Sequence, residues 1–414
     1  MAEHKDIYYC DARLESALKT LHESKISSTD KKDVADFVAS MQALGIKKIR
    51  LVKNAIVLRF IAQGNKKPFR EATKNDCEKM IGKIEGNKDY AAWTKADYKT
   101  VLKRFYKWLL GKDEYYPDCI KWLKIKSPND SQLPEDLITE EELLKVVSTA
   151  QSPRDKCLIF MLFESGGRIG EILPLRIKDI HFGEQITSIQ VNGKTGQRRI
   201  PLVSSTNYLS TWLNMHPLKD NPEAPLWIKL MNRPSKGKGR KLELGNVQAL
   251  SYSGVKKILE TAFERAGVKK RHNAHQFRRA RATDLANKLT EAQMKEYFGW
   301  TQSSDMAARY VHLSGRNVDD AILMVNGLKP KEDVKESKLK PRTCSRCNEK
   351  NPPNASYCYK CAMPLNIETV QKEVLENKLK ENATVEYMKS NEAVFKKMEQ
   401  MAKQIEALKK RTAH

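Results

Sequence analysis

Six side chains, in a fixed order along the chain, could together cleave a phosphodiester. Arg168 sits in Ser165-Gly166-Gly167-Arg168-Ile169-Gly170-Glu171, and Lys194 in Val191-Asn192-Gly193-Lys194-Thr195-Gly196. His275 and Arg278 form the unit His275-Gln276-Phe277-Arg278. Trp300 follows Phe298-Gly299, and Tyr310 lies in Ala308-Arg309-Tyr310-Val311-His312. Guanidiniums grip phosphate oxygens two at a time. A phenol, with a pKa of about 10, becomes a nucleophile near neutral pH when cations surround it. An ammonium carries both a proton and a positive charge to a leaving oxygen. Chemistry of this kind needs no metal ion.

Each residue also has a plainer reading. Arg168 begins a helix-like stretch after two glycines, where backbone N–H groups join a guanidinium at a phosphate; an ordinary surface arginine fits equally well. Glu171, three residues on, can reach the same face and orient it, or stand as a simple solvated carboxylate. Lys194 at a hairpin tip is, on its own, a solvated turn lysine. His275 and Arg278 are three apart on a predicted helix and share a face, so the imidazole can exchange a proton beside a phosphate clamp; a lone helical histidine otherwise reads as a satisfied structural residue. The indole N–H of Trp300 can donate to a phosphate oxygen but cannot carry a proton; packing is its other reading. Tyr252 and Tyr297 lack such surroundings and read as structural.

Taken together, the order and the contexts resemble the tyrosine recombinases, the phage-integrase family. The resemblance spans roughly residues 1–325 and is strongest from Leu133 to Gly315, where all six catalytic positions are filled. The catalytic part is more similar to archaeal than to bacterial members. The resemblance implies that Arg168 and Arg278 clamp the phosphate and that Lys194 is the general acid on the 5′ oxygen. It implies that His275 and Trp300 assist, although histidine is the commoner choice at position 300. Tyr310 would be the nucleophile, giving a 3′-phosphotyrosine link and a free 5′-hydroxyl with no catalytic cofactor. Expected partners are double-stranded DNA and further copies of the chain, as a tetramer on DNA.

The elements that must position these residues follow from periodicity. Amphipathic helices are predicted at about Asp11–Glu23, Lys31–Leu44, Lys47–Ile61, Asn75–Ile84 and Thr94–Leu110, with apolar residues at three- and four-residue steps such as Val34, Phe37, Val38, Met41 and Leu44. Thr139-x-x-Glu142 and Thr290-x-x-Gln293 have capping-box form. The stretch Arg154–Phe163 is apolar on most sides, which predicts a buried helix. Ile186–Val191 and Arg198–Val203 read as strands paired around Gly193-Lys194-Thr195-Gly196. Residues 216–245 are irregular, and Lys236-Gly237-Lys238-Gly239-Arg240 is a loop that either contacts DNA or is simply solvated. Further helices are predicted at Ser253–Ala266, Ala274–Leu289, Glu291–Phe298 and Asp305–Leu313.

The fold class expected is α+β, mainly α. The resemblance implies a helical core-binding, SAM-like domain (residues 1–125) and, after a linker (126–136), a DNA breaking-rejoining catalytic domain with a small antiparallel sheet (137–325). A lysine-rich linker (326–341), a cysteine module (342–364) and a terminal helix (365–414) complete the chain. In the cysteine module, Cys344-x-x-Cys347 and Cys358-x-x-Cys361 are separated by ten residues. Two such knuckles can bring four thiolates onto a structural zinc ion, and the segment resembles a zinc ribbon. In the tail, Tyr387, Val394, Met398, Met401, Ile405 and Leu408 follow heptad-like spacing with Asn391 between, giving either a coiled coil or a single amphipathic helix.

Composition limits the function classes. The chain has 75 Lys and Arg against 51 Asp and Glu, a formal net charge of +24, which predicts an anionic polymer partner. No run approaches the roughly 18 apolar residues of a membrane span. Met1–Asp6 are charged and lack the apolar core of a secretory signal, so a cytoplasmic protein without a membrane partner is expected. Cys10, Cys77, Cys119 and Cys157 are scattered and read as reduced packing residues. The reading is a site-specific recombinase or integrase of a mobile element or virus. Its alternatives are a chromosome-dimer resolvase, a non-catalytic DNA-binding protein on this fold and a type IB topoisomerase.

Overall fold

The computed structural model describes residues 7–128, 134–193, 196–230, 248–286, 288–313, 326, 337–390 and 392–411. Helices dominate, with a small antiparallel sheet near the middle of the chain. Lys194, Thr195 and the basic loop Lys236–Arg240 lie outside the described residues.

Helices α1 (Cys10–Glu23), α2 (Ser28–Ala43), α3 (Lys48–Gln63), α4 (Lys74–Gly86), α5 (Ala92–Leu109) and α6 (Asp118–Lys121) build one core. Val34, Phe37, Val38 and Met41 turn inward, as their spacing predicts, whereas Leu44, the fifth residue of that series, is the C-cap beyond the last helical turn and is 63% exposed. The start of α2 is held by Ser27, whose hydroxyl accepts from Asp30 N at 3.0 Å. Asp30, itself buried, accepts from Phe69 N at 2.8 Å and so fixes the loop before α4. Burial pushes the Asp30 carboxyl above its ordinary value, against the hydrogen bond from Phe69.

A second core surrounds α8 (Pro153–Ser165). Ser152 caps it, accepting from Asp155 N at 3.1 Å, and Pro153 occupies the first turn, where its missing N–H costs nothing. Every residue from Cys157 to Phe163 is at most 2% exposed. A side chain such as Leu158 or Phe160 gains about 1.5–3 kcal/mol from burial of that kind. Packed on α8 are α7 (Glu140–Thr149), α10 (Thr206–Met215) and α12 (Ala274–Ala286); α11 (Tyr252–Ala266) packs on α7. Both capping boxes form: Thr139 and Glu142 exchange bonds at 3.2 and 2.9 Å, Thr290 and Gln293 at 3.3 and 2.9 Å.

The sheet runs β1 (Ile180–His181), β2 (Thr187–Gly193), β3 (Gly196–Leu202), all antiparallel. Ile189 faces Ile200 and Val191 faces Arg198, with Gly193 opposite Gly196 at the hairpin end. Glu164, at the end of α8, holds the other end of β3: its carboxylate accepts from Val203 N and Ser204 N, both at 2.8 Å, and from Ser205 N at 2.6 Å.

After residue 336 the chain returns to the second core. Glu140 accepts from Ser337 Oγ and Lys338 N, both at 2.7 Å, and Leu339 is buried among the core side chains. The cysteine module follows, with β4 (Arg342–Thr343) paired to β5 (Lys350–Asn351). Its Asn354 accepts from Tyr208 Oη of α10 at 2.6 Å. Helices α15 (Ile367–Ser390) and α16 (Glu392–Arg411) end the chain. Met398, Met401 and Ile405 are each more than half exposed. Asn391 and the side chains of Tyr387, Val394 and Leu408 lie outside the described residues. Among the described residues, no helix is long and apolar enough to cross a membrane.

Candidate active site

Arg168 is the N-cap residue of the short helix α9 (Ile169–Ile172), directly after the Gly166-Gly167 turn that ends α8. Its side chain is 40% exposed. Glu171 orients it from within the same turn. Arg168 Nη1 donates to Glu171 Oε1, and Arg168 N to Oε2, both at 2.9 Å. This is the pairing predicted from the spacing of three.

Glu171 holds a second arginine that the sequence reading missed. Arg198 on β3 donates from Nη2 to Oε2 at 2.7 Å and from Nη1 to Oε1 at 3.1 Å. Burial acts to raise the Glu171 carboxyl, but Arg198 and then Arg168 overcome it and hold the group at about 2. The carboxylate is therefore charged at neutral pH. The one available clue was Arg198 breaking an apolar alternation with Ile200 and Leu202.

Arg278 lies on α12 and is 4% exposed. Its Nη1 donates to Gly166 O at 2.8 Å, and its Nη2 to Phe298 O at 2.7 Å. It thus ties the turn before Arg168 to the end of α13 (Glu291–Phe298). Each terminal nitrogen carries a second N–H, so these bonds leave donors for an anion. Burial, and then the charge of Arg168, pushes its pKa down to about 9, which still leaves it a cation at neutral pH. His275 is one turn earlier on α12 and is exposed.

Trp300 follows the left-handed C-cap Gly299 of α13. Its ring stacks on Phe298 (4.8 Å between centroids, 22° between planes) and on Tyr310 (5.7 Å, 4°). The Arg278 guanidinium lies 5.5 Å from its centroid, in cation–π contact. Tyr310, on α14 (Met306–Leu313), is 6% exposed and packs among Ala282, Leu285, Met294 and Ala307. Arg168, Arg278, Trp300 and Tyr310 are thus drawn together by α9, α12, α13 and α14. Lys194, the predicted general acid, follows Gly193 in the sequence and lies outside the described residues. Tyr297 is structural: its hydroxyl donates to Glu164 O at 2.6 Å. Tyr252 packs against Tyr8 with the rings tilted by 58° and 5.2 Å between centroids.

The four cysteines of the module lie with all sulfurs within 4.8 Å of one another. Cys344 and Cys361 sulfurs are 3.5 Å apart, Cys347 and Cys358 sulfurs 3.6 Å. Sulfurs at the corners of a tetrahedral zinc site are about 3.8 Å apart, and disulfide sulfurs about 2.0 Å. Two similar turns build the site. Asn348 N donates to Cys344 O at 2.9 Å, and Ala362 N to Cys358 O at 2.8 Å, with Asn348 and Ala362 both in the left-handed region. The thiol set fits a tetrahedral metal ion.

Residues 137–316 match the model of the phage integrase family. A 114-residue stretch is 32% identical to tyrosine recombinase XerA of Pyrococcus horikoshii, covering 27% of this chain and 39% of that relative. The chain thus spans about two fifths of that curated relative's length. The fold is similar to that of the XerH site-specific recombinase in a post-cleavage complex on a palindromic difH substrate, with a TM-score of 0.53 and 19% identity, over 78% of this chain and 90% of that one. It is also similar to a lambda integrase dimer bound to a COC′ core site, with a TM-score of 0.52 and 16% identity, over 69% and 78% of the two chains.

Proposed function

We propose, from the match of residues 137–316 to the phage integrase family and the similarity to tyrosine recombinase XerA, that the chain is a tyrosine recombinase, a site-specific DNA recombinase acting through a 3′-phosphotyrosine intermediate. The observation that carries the proposal is the stack of Tyr310 on Trp300, with the Arg278 guanidinium over the same indole. It holds a phenol beside a buried cation, with the second clamp, Arg168, two residues from the Gly166 carbonyl that Arg278 binds.

In the proposed reaction, Arg168 and Arg278 bind the non-bridging oxygens of the scissile phosphate and stabilise the charge that builds on them. The Tyr310 hydroxyl attacks phosphorus and its proton passes to a base, the role given to His275. The P–O5′ bond breaks, and Lys194 protonates the leaving 5′ oxygen. A 5′-hydroxyl of a partner strand then attacks the phosphotyrosine and releases Tyr310. One ester is exchanged for another at each step, so no nucleotide is consumed.

The helical part before residue 126 and the catalytic part are proposed to clasp duplex DNA from two sides, in keeping with the +24 charge. A homo-tetramer on DNA, a structural zinc ion on Cys344, Cys347, Cys358 and Cys361, and a mobile element as the source complete the proposal. The ribbon and the terminal helices support the mobile element, because a compact resolvase has no need of them.

The test maps where the protein becomes covalently joined to DNA, using nicked suicide duplexes drawn from the DNA flanking its own gene. Wild type is expected to give an adduct at one junction. Tyr310→Phe should bind the same duplex and give none. Adduct from that variant would mean that another residue attacks.

A further inference from the structure

Arg198 occupies a strand position that should be apolar. It pairs with Val191, and directly opposed residues point to the same face of a sheet. Ile189, Val191, Ile200 and Leu202 are all buried core residues. Arg198 continues their row toward the hairpin end and is 10% exposed. Glu171, at 4%, answers its charge with both carboxylate oxygens. Arg198 Nε donates to Tyr297 O at 3.2 Å. Three guanidinium N–H groups are therefore committed to fixed partners on two other elements.

The backbone on both sides presses directly on this pair. A Cβ at Gly193 would lie 2.6 Å from Glu171 Oε1, and one at Gly299 would lie 2.6 Å from Arg198 Nη1. Gly299 also has a φ of +60°, which side chains rarely adopt. The hairpin end and the turn before Trp300 thus meet across the Arg198–Glu171 pair with no side chain between. A buried ion pair seldom improves stability over apolar residues of similar size. What this one offers is fixed geometry among three elements.

We propose, resting on the recombinase reading above, that Arg198 is a positioning residue for strand cleavage. Through Glu171 it sets the guanidinium of Arg168. Through the Tyr297 carbonyl it locks the hairpin that carries Lys194 to the turn that carries Trp300. It touches none of the reacting atoms and acts only through these residues.

The test uses the full chain and the duplex mapped by adduct formation. Arg198→Gln should bind DNA with affinity within about threefold of wild type, while adduct forms about 100-fold more slowly, the scale of a small misplacement of reacting groups. Arg198→Lys should recover only part of the rate, because an ammonium cannot make the two-pronged contact. The double variant Arg198→Gln/Glu171→Gln should be no more than about threefold slower than the slower single variant, since both act through one link. Hydrogen exchange should show the amides of 189–193, 196–200 and 297–299 losing protection in Arg198→Gln, by about tenfold or more, with α7 unchanged. Cleavage by Arg198→Gln within about threefold of wild type, or losses that multiply in the double variant, would overturn the proposal. If wild type itself forms no adduct, the recombinase reading fails. The exchange result then decides alone, and unchanged protection refutes Arg198 as the tie between hairpin and turn.

Discussion

The rings of Trp300 and Tyr310 lie parallel, 4° apart in plane and 5.7 Å between centroids. The phenol proposed to attack DNA is therefore held by an aromatic partner as well as by its own helix. Offset aromatic pairs contribute about 0.5–1.5 kcal/mol beyond their buried area. Trp300→Phe keeps a ring and loses the N–H, whereas Trp300→Ala loses both. Adduct formation on suicide DNA should slow by about tenfold or less in the first and by about 100-fold in the second, if stacking positions Tyr310. Equal loss in both would assign the role to the indole N–H.

The two arginines proposed as phosphate clamps should separate when stability is measured beside cleavage. Arg168 is 40% exposed and bonded within its own turn, whereas Arg278 is 4% exposed and satisfies two backbone carbonyls. Alanine at either position should slow adduct formation by about 100-fold or more. Only Arg278→Ala should also destabilise the fold, by a few kcal/mol, because each orphaned buried acceptor costs about 1–3 kcal/mol. Urea unfolding of both variants checks this. An equally destabilised Arg168→Ala would mean that its contact with Glu171 matters more to the fold than to the phosphate.

Local signals made much of this legible. Thr139 and Glu142, and Thr290 and Gln293, announce their helices because a capping box closes within four residues. Arg168 and Glu171 share one turn, so their spacing alone brings them together. Arg198 was not legible, because its partner is 27 positions away in sequence. A charged strand residue ordinarily faces water, and here only the tertiary contact with Glu171 reverses that. The docking of the cysteine module was hidden for the same reason. Tyr208 and Asn354 are 146 positions apart, and nothing near either one foretells the bond. The strand β1 has only two residues, too few to show an alternation.

Glu171 gives the fold a pH dependence of known sign. Its folded pKa of about 2 lies below the ordinary 4.5, because Arg198 and Arg168 outweigh the effect of burial. A depressed carboxylate contributes stability that is complete above its unfolded pKa and is lost as pH falls toward the folded one. The loss should run from about pH 4.5 down to about pH 2. Glu171→Gln should be less stable than wild type near neutral pH, since two arginines lose their anion. The gap between the two should narrow as pH falls through that window. Urea unfolding at several pH values measures it. A gap that stays constant would mean the carboxylate is not held down by its partners.

Metal and chemistry should come apart under a chelator. Among the described residues, the group of ligands that could hold an ion is Cys344, Cys347, Cys358 and Cys361. Glu171 is already engaged by two arginines, and His275 is exposed at the start of α12. The full chain should therefore bind about one zinc ion, since four thiolates fill a tetrahedral site. A module this small depends on its metal to fold, so chelation should unfold it and release the bond between Tyr208 and Asn354. The proposed cleavage uses only phenol, guanidinium, ammonium and imidazole groups, so adduct on suicide DNA should survive. Assembly or complete recombination is the step that chelation is expected to weaken. The measurement is zinc content and adduct yield on the same sample, before and after chelation, with zinc added back. Adduct that disappears with the metal and returns with zinc would tie cleavage to the ion. Cys344→Ser, compared with wild type in chelator, then separates a structural link from the cysteine module through Leu339 and Asn354 from a metal acting at Tyr310.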